Sequence, residues 1–156
     1  MKIAMAQVNC TVGDIEGNIR KIREYMKMAK ERGADLVAFP ELTVTGYPPQ
    51  DLLLEKAFVK SQREMLFKTI RENSVSIAGV VGFVDYNKGH LYNAAAVFNG
   101  NRLVKIVYKT LLPTYDVFDE ARYFKPSKIN EIKPVRIRIN KVAFKPGVEI
   151  CEDLWD

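Results

Sequence analysis

Apolar and polar positions alternate from Lys2 to Asn9, which is the pattern of a strand. Thr11 to Gly17 is a polar turn in which Asp14 or Asn18 can cap a following helix. From Asn18 to Arg32, Ile19, Ile22, Met26 and Ala29 recur at helical spacing on one face. Lys21, Glu24, Lys27 and Glu31 fall elsewhere, where water can solvate them. Gly33 supplies the stop that helices commonly use. Leu36-Val37-Ala38-Phe39, within Asp35 to Phe39, is a short unbroken apolar run and predicts a buried strand. Strand, helix and strand over so short a span form a βαβ unit, with parallel strands and a right-handed crossover.

Pro40 to Asp51 is dense in Pro, Gly and Thr and reads as a loop. A second helix is predicted from about Leu53 to Asn73, with Leu54, Phe58, Leu66 and Ile70 facing the core. Strands follow at Val75 to Val84, Asn93 to Phe98 and Arg102 to Tyr108, and Asn99-Gly100 marks a hairpin turn between the last two. Leu111 to Pro126 is aromatic, acidic and irregular. Ile132 to Val142 predicts a further strand and Gly147 to Cys151 a final one. The fold class is therefore α/β, with two helices beside a mixed sheet. There is no repeat, low-complexity tract or linker, so residues 1–156 read as a single domain. Five residues follow Cys151, and a strand carrying a reactive residue at its end is normally followed by a supporting element. The expectation is of an architecture cut short at that end.

Composition narrows the setting. No apolar run approaches the ~20 residues of a membrane span, and the first residues lack a signal-peptide pattern. Two cysteines, Cys10 and Cys151, make no disulfide framework, which fits a reduced, cytoplasmic compartment. The net charge of +5 raises the question of nucleic acid. Basic residues are spread along the chain, and the densest stretch alternates Arg136, Arg138 and Lys141 with Val135, Ile137 and Ile139. That is one exposed strand face, and no nucleic-acid partner is expected. A single histidine and no clustered cysteines give a metal site no support. The glycines form neither phosphate-binding fingerprint, so neither ATP nor a dinucleotide is expected to bind this chain.

Three residue types carry candidate chemistry. Glu41, Lys109 and Cys151 each lie just past an apolar strand, and in α/β sheets ligands bind at the carboxyl ends of strands. A thiol attacks as its thiolate. A nearby carboxylate can take its proton if burial raises the carboxylate toward working pH. An ammonium stabilises both the thiolate and the oxyanion of a tetrahedral intermediate. The backbone N–H of Glu152 offers a second oxyanion donor. Cys10 reads as a buried small hydrophobe. His90 sits in the polar turn Asn87-Lys88-Gly89-His90, where it is either an exposed turn residue or half of a Cys–His pair.

Three blocks carry a resemblance: Pro40-Glu41-Leu42 with its extension Gly46-Tyr47-Pro48-Pro49-Gln50-Asp51, Lys109-Thr110-Leu111-Leu112-Pro113 with Phe118-Asp119-Glu120-Ala121-Arg122-Tyr123-Phe124, and Ile150-Cys151-Glu152-Asp153. In this order they are similar to the carbon–nitrogen hydrolase (nitrilase) superfamily. The two extensions resemble the amino-terminal glutaminase branch found in glutamine-dependent NAD synthetases. The resemblance implies a four-layer αββα sandwich that associates through its helical faces and continues beyond the nucleophile. It implies Glu41 as general base, Lys109 as oxyanion lysine, Cys151 as nucleophile and Glu120 as support for the lysine. Tyr115 would contact a glutamine substrate, and Glu152 would border the pocket. Ammonia would pass to a separate synthetase domain, which would bind ATP and deamido-NAD; no cofactor is expected in this chain. A homo-oligomer or a synthetase partner is implied. The alternatives are a stand-alone small-amide hydrolase of the same superfamily, and an inactive fragment or interaction module.

Overall fold

The computed structural model describes residues 1–128, 134–139 and 142–154. Helix α1 spans Ile15–Glu31. It starts three residues before the expected Asn18, because Asp14 Oδ1 accepts the Gly17 N–H at 2.8 Å and closes the first turn. A Cβ on Gly17 would sit 2.0 Å from the Asp14 carboxylate, so the cap needs that glycine. Asn18 is inside the helix and fully buried, where it binds both the N–H and the carbonyl of Thr11 and the carbonyl of Val44. Ile19, Ile22, Met26 and Ala29 are buried together, as the spacing predicts. Gly33 follows the helix at φ +75°, a conformation that suits glycine.

Helix α2 spans Lys56–Arg71 and is preceded by a 3-10 turn over Gln50–Leu54. Glu55 breaks the two apart with an extended backbone, so Leu54 is out of phase with the helix and 65% exposed. Phe58 is half-buried, and Leu53 and Val59 fill the core positions beside Leu66 and Ile70.

One five-stranded sheet runs in the order β1 (Ile3–Met5), β2 (Leu36–Ala38), β3 (Ala78–Asn87), β4 (His90–Asn99), β5 (Arg102–Tyr108). The first three strands are parallel, and β3, β4 and β5 are joined antiparallel. The expected strand from Lys2 to Asn9 shrinks to three residues. Its partner β2 is equally short, because Pro40, two residues past Ala38, has no N–H to give a ladder. Strand β3 begins later than Val75 and runs on through Asp85, Tyr86 and Asn87 into a hairpin with β4. Lys88 and Gly89 make that turn at φ +48° and +84°. The turn polarity hides the strand ends on either side of it.

Strands β6 (Ile137–Ile139) and β7 (Val142–Phe144) form a separate antiparallel pair. The single strand expected from Ile132 to Val142 is therefore corrected: Val142 belongs to the returning strand. Apolar alternation has the same period on both arms of a hairpin and does not reveal the reversal. The parts of that expectation at 132–133 and 140–141 lie outside the described residues. Arg136 and Arg138 are exposed while Val135 and Ile137 are buried, which keeps the one-face reading of the basic stretch. The last expected strand is also corrected. Gly147 to Ile150 enters no ladder, and Cys151–Leu154 is a 3-10 turn. Cys151 at φ +50° adopts a left-handed backbone that a strand does not accommodate.

Both helices pack on one face of the sheet against Val37, Val81, Phe83, Ala96 and Phe98. The opposite face, with Leu36, Ala78 and Val97, is covered by Val135 and Ile137. The described residues thus stack helices, a five-stranded sheet and a two-stranded second sheet, in the layer order of a nitrilase-type α/β sandwich.

Candidate active site

Glu41 stands on the loop that follows β2. The loop is tied down onto β3: Phe39 N–H donates to Val80 O at 2.9 Å and Val44 N–H to Gly82 O at 3.2 Å. A Cβ on Gly82 would meet Leu42 N at 2.4 Å and Pro40 O at 2.6 Å, so the loop lies directly on the strand at this glycine. Thr43 Oγ1 donates to Pro40 O and closes the turn. Lys109 follows β5, and its N–H donates to Asn93 O in β4 at 2.9 Å. Strand β5 runs in the same direction as β2, so Glu41 and Lys109 emerge at the same end of the sheet, as the strand-end pattern predicts.

The lysine side chain is sealed from water. Its Nζ donates to Glu41 Oε1 at 2.7 Å and to Glu120 Oε1 at 2.9 Å. Glu120 arrives on a 3-10 turn, Glu120–Arg122, whose first N–H binds Pro113 O. Tyr47 Oη donates to Glu120 Oε1 at 2.9 Å. Asn93 Nδ2 donates to Glu41 Oε1 at 2.6 Å and faces Glu120 Oε2 at 3.3 Å.

Two carboxylates share one ammonium, and the electrostatics follow. Burial works to lower the lysine's pKa, but its bonds to Glu41 and Glu120 prevail and hold it above its ordinary value. Lys109 is therefore an ammonium at working pH. Burial pushes Glu120 up, with the neighbouring Glu41 charge adding to it and Lys109 opposing. Burial, then the bond to Glu120, pushes the Tyr47 phenol up and keeps it a donor.

Cys151 comes to the same cluster by a different route from the one expected: a left-handed turn instead of a strand end. Its thiol lies within reach of the charges of Glu41, Lys109 and Glu120. Burial and then the Glu41 charge raise it above the ordinary thiol value, with Lys109 opposing. The resting sulfur is thus a thiol, and Glu41 is the leading charge that acts on it. His90 is exposed at the β3–β4 turn, and the charges acting on Cys151 come from Glu41, Lys109 and Glu120. Cys10 is half-buried, not part of the core as its apolar reading predicts, and its Sγ lies 3.7 Å from Val8 O. It sits past the end of the shortened β1, where the chain leaves the sheet.

The two residues expected at the substrate mouth meet each other: Tyr115 Oη donates to Glu152 Oε2 at 3.0 Å. Three functional neighbours escaped sequence reasoning. Asn93 lies in the run Asn93-Ala94-Ala95-Ala96, where a polar residue at a fully buried strand position was the available signal. Tyr47 and Asp153 lay inside the quoted blocks without a role. Asp153 Oδ1 accepts the N–H groups of Thr110 and Leu111 at 2.9 and 2.7 Å. A separate cleft is lined by Tyr47, Pro49, Asp51, Arg122 and Tyr123; it borders Glu120 but not Glu41, Lys109 or Cys151.

The arrangement brings together a thiol, a carboxylate and a buried ammonium, residue types suited to acyl transfer through a thioester. No group of metal-ligating side chains occurs among the described residues. No helix among them is long and apolar enough to cross a membrane.

Residues 2–155 match the family described as carbon-nitrogen hydrolase, and the chain belongs to that family. It is 41% identical over 157 residues to a glutamine-dependent NAD(+) synthetase of Thermotoga maritima, covering 100% of this chain and 26% of that protein. A structure of glutamine-dependent NAD+ synthetase from Acinetobacter baumannii superposes with a TM-score of 0.86 at 37% identity, over 99% of this chain and 28% of that one. An amidase from Nesterenkonia sp. shares the fold, with a TM-score of 0.72 at 22% identity, over 89% of this chain and 53% of the amidase. The chain spans about a quarter of the length of the synthetase relatives it matches, 26% for the Thermotoga protein.

Proposed function

We propose that this chain carries the glutamine-cleaving site of a glutamine-dependent NAD synthetase. The observation that carries this reading is the buried Lys109 ammonium held between Glu41 at 2.7 Å and Glu120 at 2.9 Å, with Cys151 close enough to feel both carboxylate charges. In the first step Glu41 takes the thiol proton while the sulfur attacks the side-chain amide carbon of glutamine. Lysine has three donors. Two of those of Lys109 are held by Glu41 and Glu120, which leaves one for the oxyanion. The C–N bond then breaks and the proton held on Glu41 leaves with ammonia, giving a γ-thioester on Cys151. Water attacks that thioester as Glu41 takes one of its protons. The C–S bond breaks, the sulfur regains a proton, and glutamate departs.

In this reading Tyr115 and Glu152, which bond each other, contact the substrate's amino-acid end. The carboxylate of Glu152 suits an α-ammonium group, which a simple amide lacks. Similarity over the full chain to proteins named glutamine-dependent NAD(+) synthetase supports glutamine as the substrate. It also supports delivery of ammonia to an ATP-dependent amidation of deamido-NAD on segments beyond this chain. A reduced, cytoplasmic setting and association with synthetase segments fit that role.

The test is ammonia release from glutamine and from a panel of small amides. Release is expected with glutamine, lost in Cys151→Ser and unchanged in Cys10→Ser. Equal loss from both cysteine substitutions, or a preference for amides without an α-ammonium group, overturns the reading.

A further inference from the structure

We infer that Asp153 is a positioning residue that fixes the nucleophile's turn to the lysine's loop. The inference rests on the reading of Cys151 as nucleophile. The stretch 147–154 belongs to no sheet ladder, so the place of Cys151 must be set by other contacts. The Asp153 carboxylate supplies them. Oδ1 accepts from Thr110 N and Leu111 N, the two residues after Lys109. Oδ2 accepts from Ile150 N at 3.4 Å, the residue before Cys151. Asp153 N–H in turn donates to Ile150 O at 3.2 Å and closes the turn around the cysteine. One side chain thereby bonds both segments, and each bond has an ionised acceptor, the stronger kind.

The spacing explains why this acid stands two residues past the cysteine. Its carboxylate must fold back over a turn in which Cys151 has φ +50°. A residue in that region is held only where its surroundings over-determine it. The neighbouring Glu152 points elsewhere, to Tyr115. Asparagine at position 153 keeps an oxygen for Thr110 and Leu111 but presents N–H to N–H at Ile150. It is therefore a partial replacement, and alanine is none.

A double-mutant cycle tests this without depending on glutamine turnover. In a Cys10→Ser background, the pH dependence of Cys151 alkylation by iodoacetamide is measured with and without Glu41→Gln. With Asp153 present, Glu41→Gln should lower the midpoint by about one unit or more, the size expected of a charge at about 4–6 Å. With Asp153→Ala the same substitution should shift the midpoint little, because thiol and carboxylate no longer hold their separation. Asp153→Asn should give an intermediate shift, and it decides the matter if Asp153→Ala loses its cooperative unfolding transition. An equal Glu41→Gln shift in the Asp153 and Asp153→Asn or Asp153→Ala proteins overturns the inference. Loss of ammonia release in the parent, with the coupling intact, overturns the glutaminase reading instead.

Discussion

A Cβ on Gly82 would lie 2.8 Å from the carbonyl carbon of Glu41. The strand and the base-bearing loop therefore touch backbone to backbone, and the base is placed by the absence of a side chain on its neighbour. Gly82→Ala must displace main chain, since the atoms it meets are backbone. Turnover should fall by at least about tenfold, on the scale of the losses that ångström displacements cause. Gly89→Ala is the control: nothing lies within 4 Å of its added Cβ, and the penalty there is only the backbone strain of φ +84°. Ammonia-release assays on the two variants, beside their thermal midpoints, separate loop displacement from general destabilisation.

Lys109→Met and Glu41→Gln should part company in stability. Removing the ammonium strands two carboxylates around a side chain with 0% exposure. Breaking a buried pair in this way costs about 3–5 kcal/mol. Glu41→Gln keeps shape and removes a charge from a partly open position, so its destabilisation should be smaller. Both should abolish ammonia release. Urea midpoints check the contrast; equal destabilisation would show that Lys109 is not the keystone of the cluster.

Asn93→Leu should slow turnover and lower stability together. The single amide faces both carboxylates, and hydrogen bonds to charged groups are worth about 1.5–3 kcal/mol each. Asn93→Asp should be worse than leucine, because it places a third carboxylate beside Glu41 and Glu120. Chemical denaturation of the three proteins at neutral pH orders them, and an aspartate variant as stable as the parent contradicts the placement.

Glu120 gives a pH signature. Its folded pKa is raised above the ordinary 4.5, first by burial. A group raised on folding contributes stability that is present below its unfolded pKa and lost as pH rises through the folded value. The parent should therefore gain stability relative to Glu120→Gln as pH falls from neutral toward 4.5. Thermal unfolding of both proteins across that window reads the difference, whose opposite sign would mean that Lys109 outweighs burial at Glu120.

Much of this was legible because period and chemistry coincide. Ile19, Ile22, Met26 and Ala29 name the buried face of α1, and the run from Leu36 names β2. Glu41 and Lys109 are found at strand ends, where the pattern puts them. Cys151 reaches the site by a turn, and its apolar neighbours Val148 and Ile150 imitate a strand because both turn inward, Val148 partly and Ile150 fully buried, without joining a ladder. The β6–β7 hairpin preserved its alternation through the reversal. Asn93 was missed for a different reason: its polarity stands out in the strand, but its side-chain partners, Glu41 and Glu120, are distant in sequence and no local pattern encodes them.

The exposure of the cluster is uneven. The side chains of Lys109 and Glu120 are 0% and 5% exposed, and that of Glu41 is 18% exposed. Of these three, Glu41 is the most open to solvent, and its charge acts on the Cys151 thiol. Of the three charged members, the one that exchanges protons most freely with water is thus the one asked to ferry them.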